Sequence, residues 1–440
     1  MSRYRRKNRK KQLKKAFKKH PFLCIVAFFL AICIAGGYLH YKRIVHLSFL
    51  DGVLLQEEVI ENPDSTGGNS STSSSNSTGD NTSSSSQQNQ NTENSGPLTP
   101  AQQNSIISSD LSIHFLELGN KYSGDCTLIK VGNTEVLIDA GSRKNSATTL
   151  KGYIDHYCTD GILEYVIATH AHQDHIAGFV GTKSGSTHTG LFYQYQVQTL
   201  IQFSRTDATT VIYQEYQTAV DYLKDNGTSV YTALECWEEK GGASKTMYLN
   251  DTQTVSMHIL YNYFYDHKTE GGGGENEYSV CMLLKDSANN NYLFTGDLEE
   301  KGEEYLVQHN PDLPKCKLFK GGHHGSYTAS SQILLSKIQP EIVCVCCCCG
   351  SSEYNAKPEN VFPAQDFVDR VAEYTDKVYV TTIAINDEKG DTVSYASMNG
   401  NIVLYLQQNT LKLYCSNNVT KLKDTAWFKA NRITPSYWSK

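Results

Sequence analysis

Thr169-His170-Ala171-His172-Gln173-Asp174-His175 places three imidazoles and a carboxylate within six consecutive residues. The cluster directly follows an apolar run, Ile162–Ala168, that reads as a strand. Imidazole nitrogens and a carboxylate at this spacing suit a borderline-soft divalent ion, zinc above all. A lone histidine is commonly a satisfied core residue. Four donor side chains on a loop just past a strand are hard to explain as packing.

Working outward, Leu111–Leu118 alternates apolar and polar residues as a half-buried strand does, and 126–131 and 135–139 follow as strands about the turn Gly132-Asn133. Thr148–Tyr157 has helical spacing, and Val211–Asn226 reads as an amphipathic helix ended by Gly227. Residues 254–261, 279–285, 291–294, 342–349 and 378–385 read as further strands. Helices are expected at 330–338 and 364–374. The pattern predicts mixed α/β, with two packed sheets flanked by helices.

Two more constellations extend the metal reading. The strand Leu293-Phe294-Thr295-Gly296-Asp297 ends in a carboxylate able to bridge two ions. Leu318-Phe319-Lys320-Gly321-Gly322-His323-His324 puts paired imidazoles after another apolar strand. An aspartate at a strand end is by itself an ordinary turn residue; its position between two histidine clusters raises its interest.

In chain order the elements are ELGNKYSGDCTLIKVGNTEVLIDAG from Glu117, THAHQDHIAGF from Thr169, NEYSVCMLL from Asn276, LFTGDLE from Leu293 and LFKGGHHGSYTASS from Leu318. Together they resemble the metallo-β-lactamase superfamily, and within it the soluble domain of ComEC-type competence proteins, over roughly residues 110–350. The resemblance implies an αβ/βα four-layer sandwich with the metals at one edge of the two sheets. It implies that His170 and His172 hold a first zinc, that Asp174, His175 and His324 hold a second, and that Asp297 bridges them. Asp174 and His323 take the catalytic roles, Asp174 orienting the nucleophile and His323 lining the substrate pocket. Asp125 and Asp139 are expected to fix the ligands by hydrogen bonds. Two departures stand out. Asn276 occupies the place of a histidine found in complete dinuclear sites, so one or two ions remain open. In GSSEYNAKP, Lys357 replaces a histidine common in relatives.

The first twenty residues carry eleven Lys/Arg and no Asp or Glu, and FLCIVAFFLAICIAGGYL follows. This composition predicts a cytoplasmic basic segment over 1–20 and a single transmembrane signal-anchor over 21–41, with everything beyond Tyr41 outside the cell. Residues 42–105 are expected to form an extracellular tether, Ser/Asn-rich and disordered from about 61. A hydrolase domain over 106–418 and a C-terminal tail over 419–440 complete the expected order. The tail is expected to cap the domain.

Beyond the basic flank the chain holds 29 basic and 46 acidic residues, a net of −17. That balance weighs against a strong nonspecific nucleic-acid binder. Of the thirteen cysteines, five lie in IVCVCCCCG, which reads as a buried strand using Cys as a small hydrophobe. The rest lack the paired spacing of a zinc knuckle. The expected function is therefore a membrane-anchored, extracellular, zinc-dependent hydrolase of a phosphodiester, with DNA suggested by the resemblance. The alternatives are an esterase of teichoic-acid phosphocholine and a non-catalytic surface module that kept the fold. No dedicated protein partner is evident.

Overall fold

The computed structural model describes residue 96 and residues 98–269, 274–354 and 357–439. The expected membrane span at 21–41, its basic flank and the tether up to residue 95 lie outside the described residues. Among the described residues, no helix is long and apolar enough to cross a membrane.

Two eight-stranded sheets carry the chain. The first runs Thr410–Cys415, Ile402–Gln407, Leu111–Phe115, Thr127–Val131, Thr134–Ile138, Ile162–Ala168, Gln196–Gln202, Ser229–Thr232 from edge to edge. The second runs Thr392–Ser397, Val378–Asn386, Ile342–Cys349, Leu318–Lys320, Asn291–Phe294, Met282–Lys285, Ser256–Ile259, Thr246–Tyr248. The first sheet is antiparallel and then passes through three parallel pairings, and the second has three parallel pairings flanked by antiparallel ones on both sides. A parallel pairing needs a long crossover. Helices Ser146–Ile154, Gln173–Val180 and Val211–Asp225 supply the crossovers of the first sheet, and Glu300–His309, Gln332–Ile338 and Gln365–Ala372 those of the second.

The layers follow from which residues point where. In Ile342–Cys349, Cys344 and Cys346 join the core shared with the first sheet, whereas Val343, Val345, Cys347 and Cys349 join the core under the helices of the second. A strand buried on both faces needs a continuous apolar run, and here cysteine fills it. All eleven cysteines among the described residues are buried and free. Phe115 of the first sheet meets Phe294 of the second, ring centroids 6.4 Å apart, so the sheets pack face to face. Helices on the outer faces complete a layered α/β fold, helices outside two facing sheets.

The expected boundaries shift in three places. The first strand stops at Phe115, with one further bond from Leu116 N to Cys126 O at 3.0 Å, and Leu116–Leu118 is not strand. An unexpected helix, Pro100–Ile107, opens with a capping box between Thr99 and Gln102, with Ile106 buried. The segment 279–285 is a strand only from Met282, because Glu275–Tyr278 forms a 3₁₀ turn that carries Ser279 to the sheet edge. At the other terminus, Phe428 and Trp438 are buried in the second core, with rings 5.5 Å apart.

Candidate metal centre

The topology brings distant residues to one edge. In open α/β sheets, ligand sites form beyond the carboxyl ends of parallel strands. Asp139 follows Thr134–Ile138, the histidine cluster follows Ile162–Ala168, Asp297 follows Asn291–Phe294, and His323 and His324 follow Leu318–Lys320. Two residues arrive from antiparallel neighbours. Thr127 pairs with Ile138, so Asp125 just before it reaches the same edge. Met282 pairs with Phe294, which does the same for Ser279.

His172 caps the helix Gln173–Val180, and Asp174 and His175 lie in its first turn. The loop 139–141 and the segment before Thr127 are both stitched to that turn, Ala140 N donating to His175 O at 2.7 Å and Asp125 N to Asp174 O at 3.1 Å. Gly141 is required there, since a Cβ would fall 1.5 Å from the carbonyl oxygen of Asp174. Three site residues take left-handed backbone despite their side chains: Asp139 at φ 58°, His323 at 45° and His324 at 56°. Strain of this sort persists where the surroundings over-determine the conformation, as at ligand sites.

Donor atoms of Asp174, His175, Asp297 and His324 all lie within 4.8 Å of one another. His175 Nδ1 faces Asp139 Oδ2 at 2.8 Å, which turns its Nε2 to Asp297 Oδ2 at 3.0 Å. His324 Nδ1 donates to Cys346 O at 2.9 Å, leaving Nε2 between Asp297 Oδ2 at 3.1 Å and Asp174 Oδ2 at 3.3 Å. That nitrogen is wholly buried and close to both oxygens, yet aligned for a hydrogen bond with neither. Thr169 holds Asp139 in turn, through its N–H at 2.8 Å and its hydroxyl at 2.7 Å. Ligand-bearing imidazoles are ordinarily fixed through their other nitrogen in this way.

The electrostatics call for a cation. Four buried carboxylates, Asp125, Asp139, Asp174 and Asp297, surround the point, against one buried ammonium, Lys320. Burial opposes charge on Asp297, but His175, His324 and Lys320 outweigh it and hold its carboxyl well below the usual range. Burial likewise opposes charge on Asp174, and the adjacent His324 imidazole, 3.3 Å away, and the charge of His175 bring it below the usual range. Against their own burial, the neighbouring carboxylates push His175 and His324 well above an ordinary imidazole, Asp297 foremost. Two imidazole nitrogens and two carboxylate oxygens suit a borderline divalent ion, so the residues fit the metal that the sequence implies.

His170 and His172 stand beside this nest as a pair, His170 Nε2 being 3.0 Å from His172 Nδ1. The His170 ring lies 4.1 Å from that of His175. Burial and the neighbouring His175 hold His170 well below the ordinary imidazole range. Asn276 does not face them. It donates to Glu299 Oε1 at 3.2 Å, and the hydroxyls beside His170 Nδ1 are those of Thr169 at 3.1 Å and Ser279 at 3.5 Å, the latter also 3.1 Å from Asp297 N. The 3₁₀ turn is the reason: it rotates position 276 toward the second-sheet helices.

His323 lies 3.2 Å from Glu299 Oε1 and 3.9 Å from Asp297 Oδ2. A cavity of about 760 Å³ opens over the centre, its wall including Asp174, His172, His323, Arg143, Glu275 and Tyr354. Three contributors escape motif reading. Lys320 ion-pairs with Asp125 inside the centre. Tyr354 donates its hydroxyl to Asp174 Oδ2 at 3.0 Å. Arg143 stacks on Tyr122 at 3.9 Å and pairs with Glu353 at 2.5 Å. GSSEYNAKP thus reaches the site through Glu353 and Tyr354, while Lys357 is exposed.

Comparison with known proteins finds similarity over part of the chain. Residues 119–184 match the sequence model of the metallo-beta-lactamase superfamily. Recombination protein 2 of Haemophilus influenzae is 31% identical over 104 residues, which is 24% of this chain but only 12% of that relative's length. Among solved structures, the metallo-beta-lactamase fold protein YhfI from Bacillus subtilis is 10% identical, with a TM-score of 0.33 over 62% of this chain and 96% of that one. A HARLDQ-motif metallo-beta-lactamase from Cronobacter sakazakii is 12% identical, with a TM-score of 0.26 over 47% and 72%. The stretch from Gly119 through the whole histidine cluster is thus similar to the metallo-beta-lactamase superfamily, and the chain is similar to Recombination protein 2 over a short segment that spans about an eighth of that relative.

Proposed function

We propose that this chain is a zinc-dependent phosphodiester hydrolase, anchored by residues 21–41 with its domain outside the cell. The observation that carries the reading is the four-donor nest of Asp174, His175, Asp297 and His324 opening on the cavity. A bound zinc ion supplies Lewis acidity and brings the pKa of water toward neutrality.

The chain's own residues do the rest. Asp139 and the carbonyl of Cys346 fix the imidazoles of His175 and His324, so that both Nε2 atoms face the centre. Asp174, on the cavity wall and tethered by Tyr354, is placed to orient the attacking water. His323, held by Glu299, reaches the cavity from the second sheet and is placed to contact the leaving oxygen. Arg143, stacked and paired, offers a fixed guanidinium to an anionic group.

DNA is one substrate on this reading. The cavity favours a second: Asp207 and Glu275 line it, and Arg143 is its only Lys or Arg among the described residues. A compact phosphodiester with a neutral or cationic end, such as phosphocholine on a wall polymer, suits that wall better than a polyanion. The test is hydrolysis of bis-p-nitrophenyl phosphate by the full chain with zinc, followed by single- and double-stranded DNA against choline phosphodiesters. A folded protein that binds no zinc and cleaves none of these would be a non-catalytic module instead.

A further inference from the structure

Lys320 is the cation of the centre that belongs to the chain itself. It is 3% exposed, at the end of Leu318–Lys320, and all three of its ammonium protons are taken. Nζ is ion-paired with Asp125 Oδ2, donates to Gly296 O at 3.0 Å, and lies 3.4 Å from Asp297 Oδ1. Asp297 is thereby divided. One oxygen belongs to the ammonium; the other, Oδ2, faces His175 and His324 at 3.0 and 3.1 Å. A carboxylate joining two ions would have to serve both from Oδ2 alone.

The two halves of the centre are unequal on other grounds. The Asp174–His175–Asp297–His324 nest contains a buried imidazole nitrogen, His324 Nε2, with no hydrogen-bond partner. The other half holds two imidazoles that satisfy each other at 3.0 Å, and a serine hydroxyl beside them. Among the described residues no cluster of three metal donors includes His170 or His172, and the carboxylate of Glu275 is engaged with the backbone N–H of Ala171 at 3.4 Å. A second dication would meet a fixed positive charge across Asp297 without a clustered carboxylate to offset it.

We propose that the centre is asymmetric: one divalent ion is held tightly by Asp174, His175, Asp297 and His324, and the Lys320 ammonium stands in for the charge of a second. The inference rests on the reading of this edge as a metal centre and specifies its stoichiometry. His170 and His172 are then a weak subsite, binding zinc roughly 100-fold or more less tightly, the upper range that supporting groups contribute to a metal site.

Zinc competition titration of the metal-stripped full chain against a chromophoric chelator, with elemental analysis after dialysis, tests this. Wild type and Lys320→Arg should hold one tight equivalent, and Lys320→Gln should gain a second. His170→Ala should keep the single equivalent, and His324→Ala should lose it. Two equivalents of comparable affinity in wild type would overturn the asymmetry while leaving the hydrolase reading intact. A folded Lys320→Gln protein with unchanged stoichiometry would overturn the role of the ammonium. Should Lys320→Gln fail to fold, the His170→Ala and His324→Ala pair still decides, because equal losses from both contradict the proposal. No zinc bound by any form, with no hydrolysis, would remove the proposed function as well.

Discussion

His175 Nδ1 sits 2.8 Å from Asp139 Oδ2, 36 residues away in sequence, and both side chains are buried. That contact sets the direction in which the second nitrogen of His175 points. Asp139→Asn keeps the shape but can present its amide N–H to Nδ1, favouring the wrong tautomer. Zinc affinity should fall about 10- to 100-fold, with little change in the melting temperature of the zinc-free protein. Chelator competition checks it; an unchanged affinity would show that Asp139 does not support the ligand.

Tyr354 is 47% exposed and yet bonds Asp174. Tyr354→Phe removes one hydrogen bond to a charged group and no core volume. Turnover should drop by roughly 3- to 10-fold, less than a fully buried bond to a charge would cost, while stability holds. Steady-state kinetics beside a urea titration separates the two, and a loss of stability without loss of turnover would assign Tyr354 to the scaffold alone.

His114 lies far from the centre, between Tyr153 and Ser112 at 2.8 Å each. Burial, aided by the charge of Lys130, lowers its pKa from 6.5 to about 3. The unfolded chain therefore takes a proton below pH 6.5 that the folded chain refuses. This contribution to stability is complete above that pH and declines as pH falls from 6.5 toward 3, by up to about 1.4 kcal/mol per pH unit. His114→Gln should lose less stability than wild type between pH 7.5 and pH 5 in urea midpoints; parallel declines would refute the assignment.

Phe428 is fully buried in the second core, in a helix near the C-terminus. Phe428→Ala should destabilise the domain by about 3–5 kcal/mol, whereas exposed Ile433→Ala should change it little. Thermal melts of both variants test whether these last residues are integral to the fold.

Periodicity in the chain is enough to place most strands and helices, because each strand repeats its facing every two residues and each helix every 3.6. The ends are less visible. The stop at Phe115 and the turn at Glu275–Tyr278 depend on partners elsewhere. The histidine cluster, Asp297 and His324 can be read from local spacing, since each follows its own apolar strand. Tyr354 could not be, as it meets Asp174 across 180 residues. Ser279 reaches His170 across 109, and the neighbouring Asn276 draws the eye instead.

What the sequence alone determines is the donor chemistry: imidazoles and carboxylates at strand ends, in an order that resembles the metallo-β-lactamase superfamily. What the tertiary structure alone decides is how those donors divide. Parallel register carries Lys320 to the same edge as Asp297, and antiparallel register carries Asp125 and Ser279 there. A lysine between Phe319 and Gly321 reads as an ordinary strand residue until the sheet places it among four carboxylates. Charge and distance are properties of the folded edge, and no local pattern encodes them.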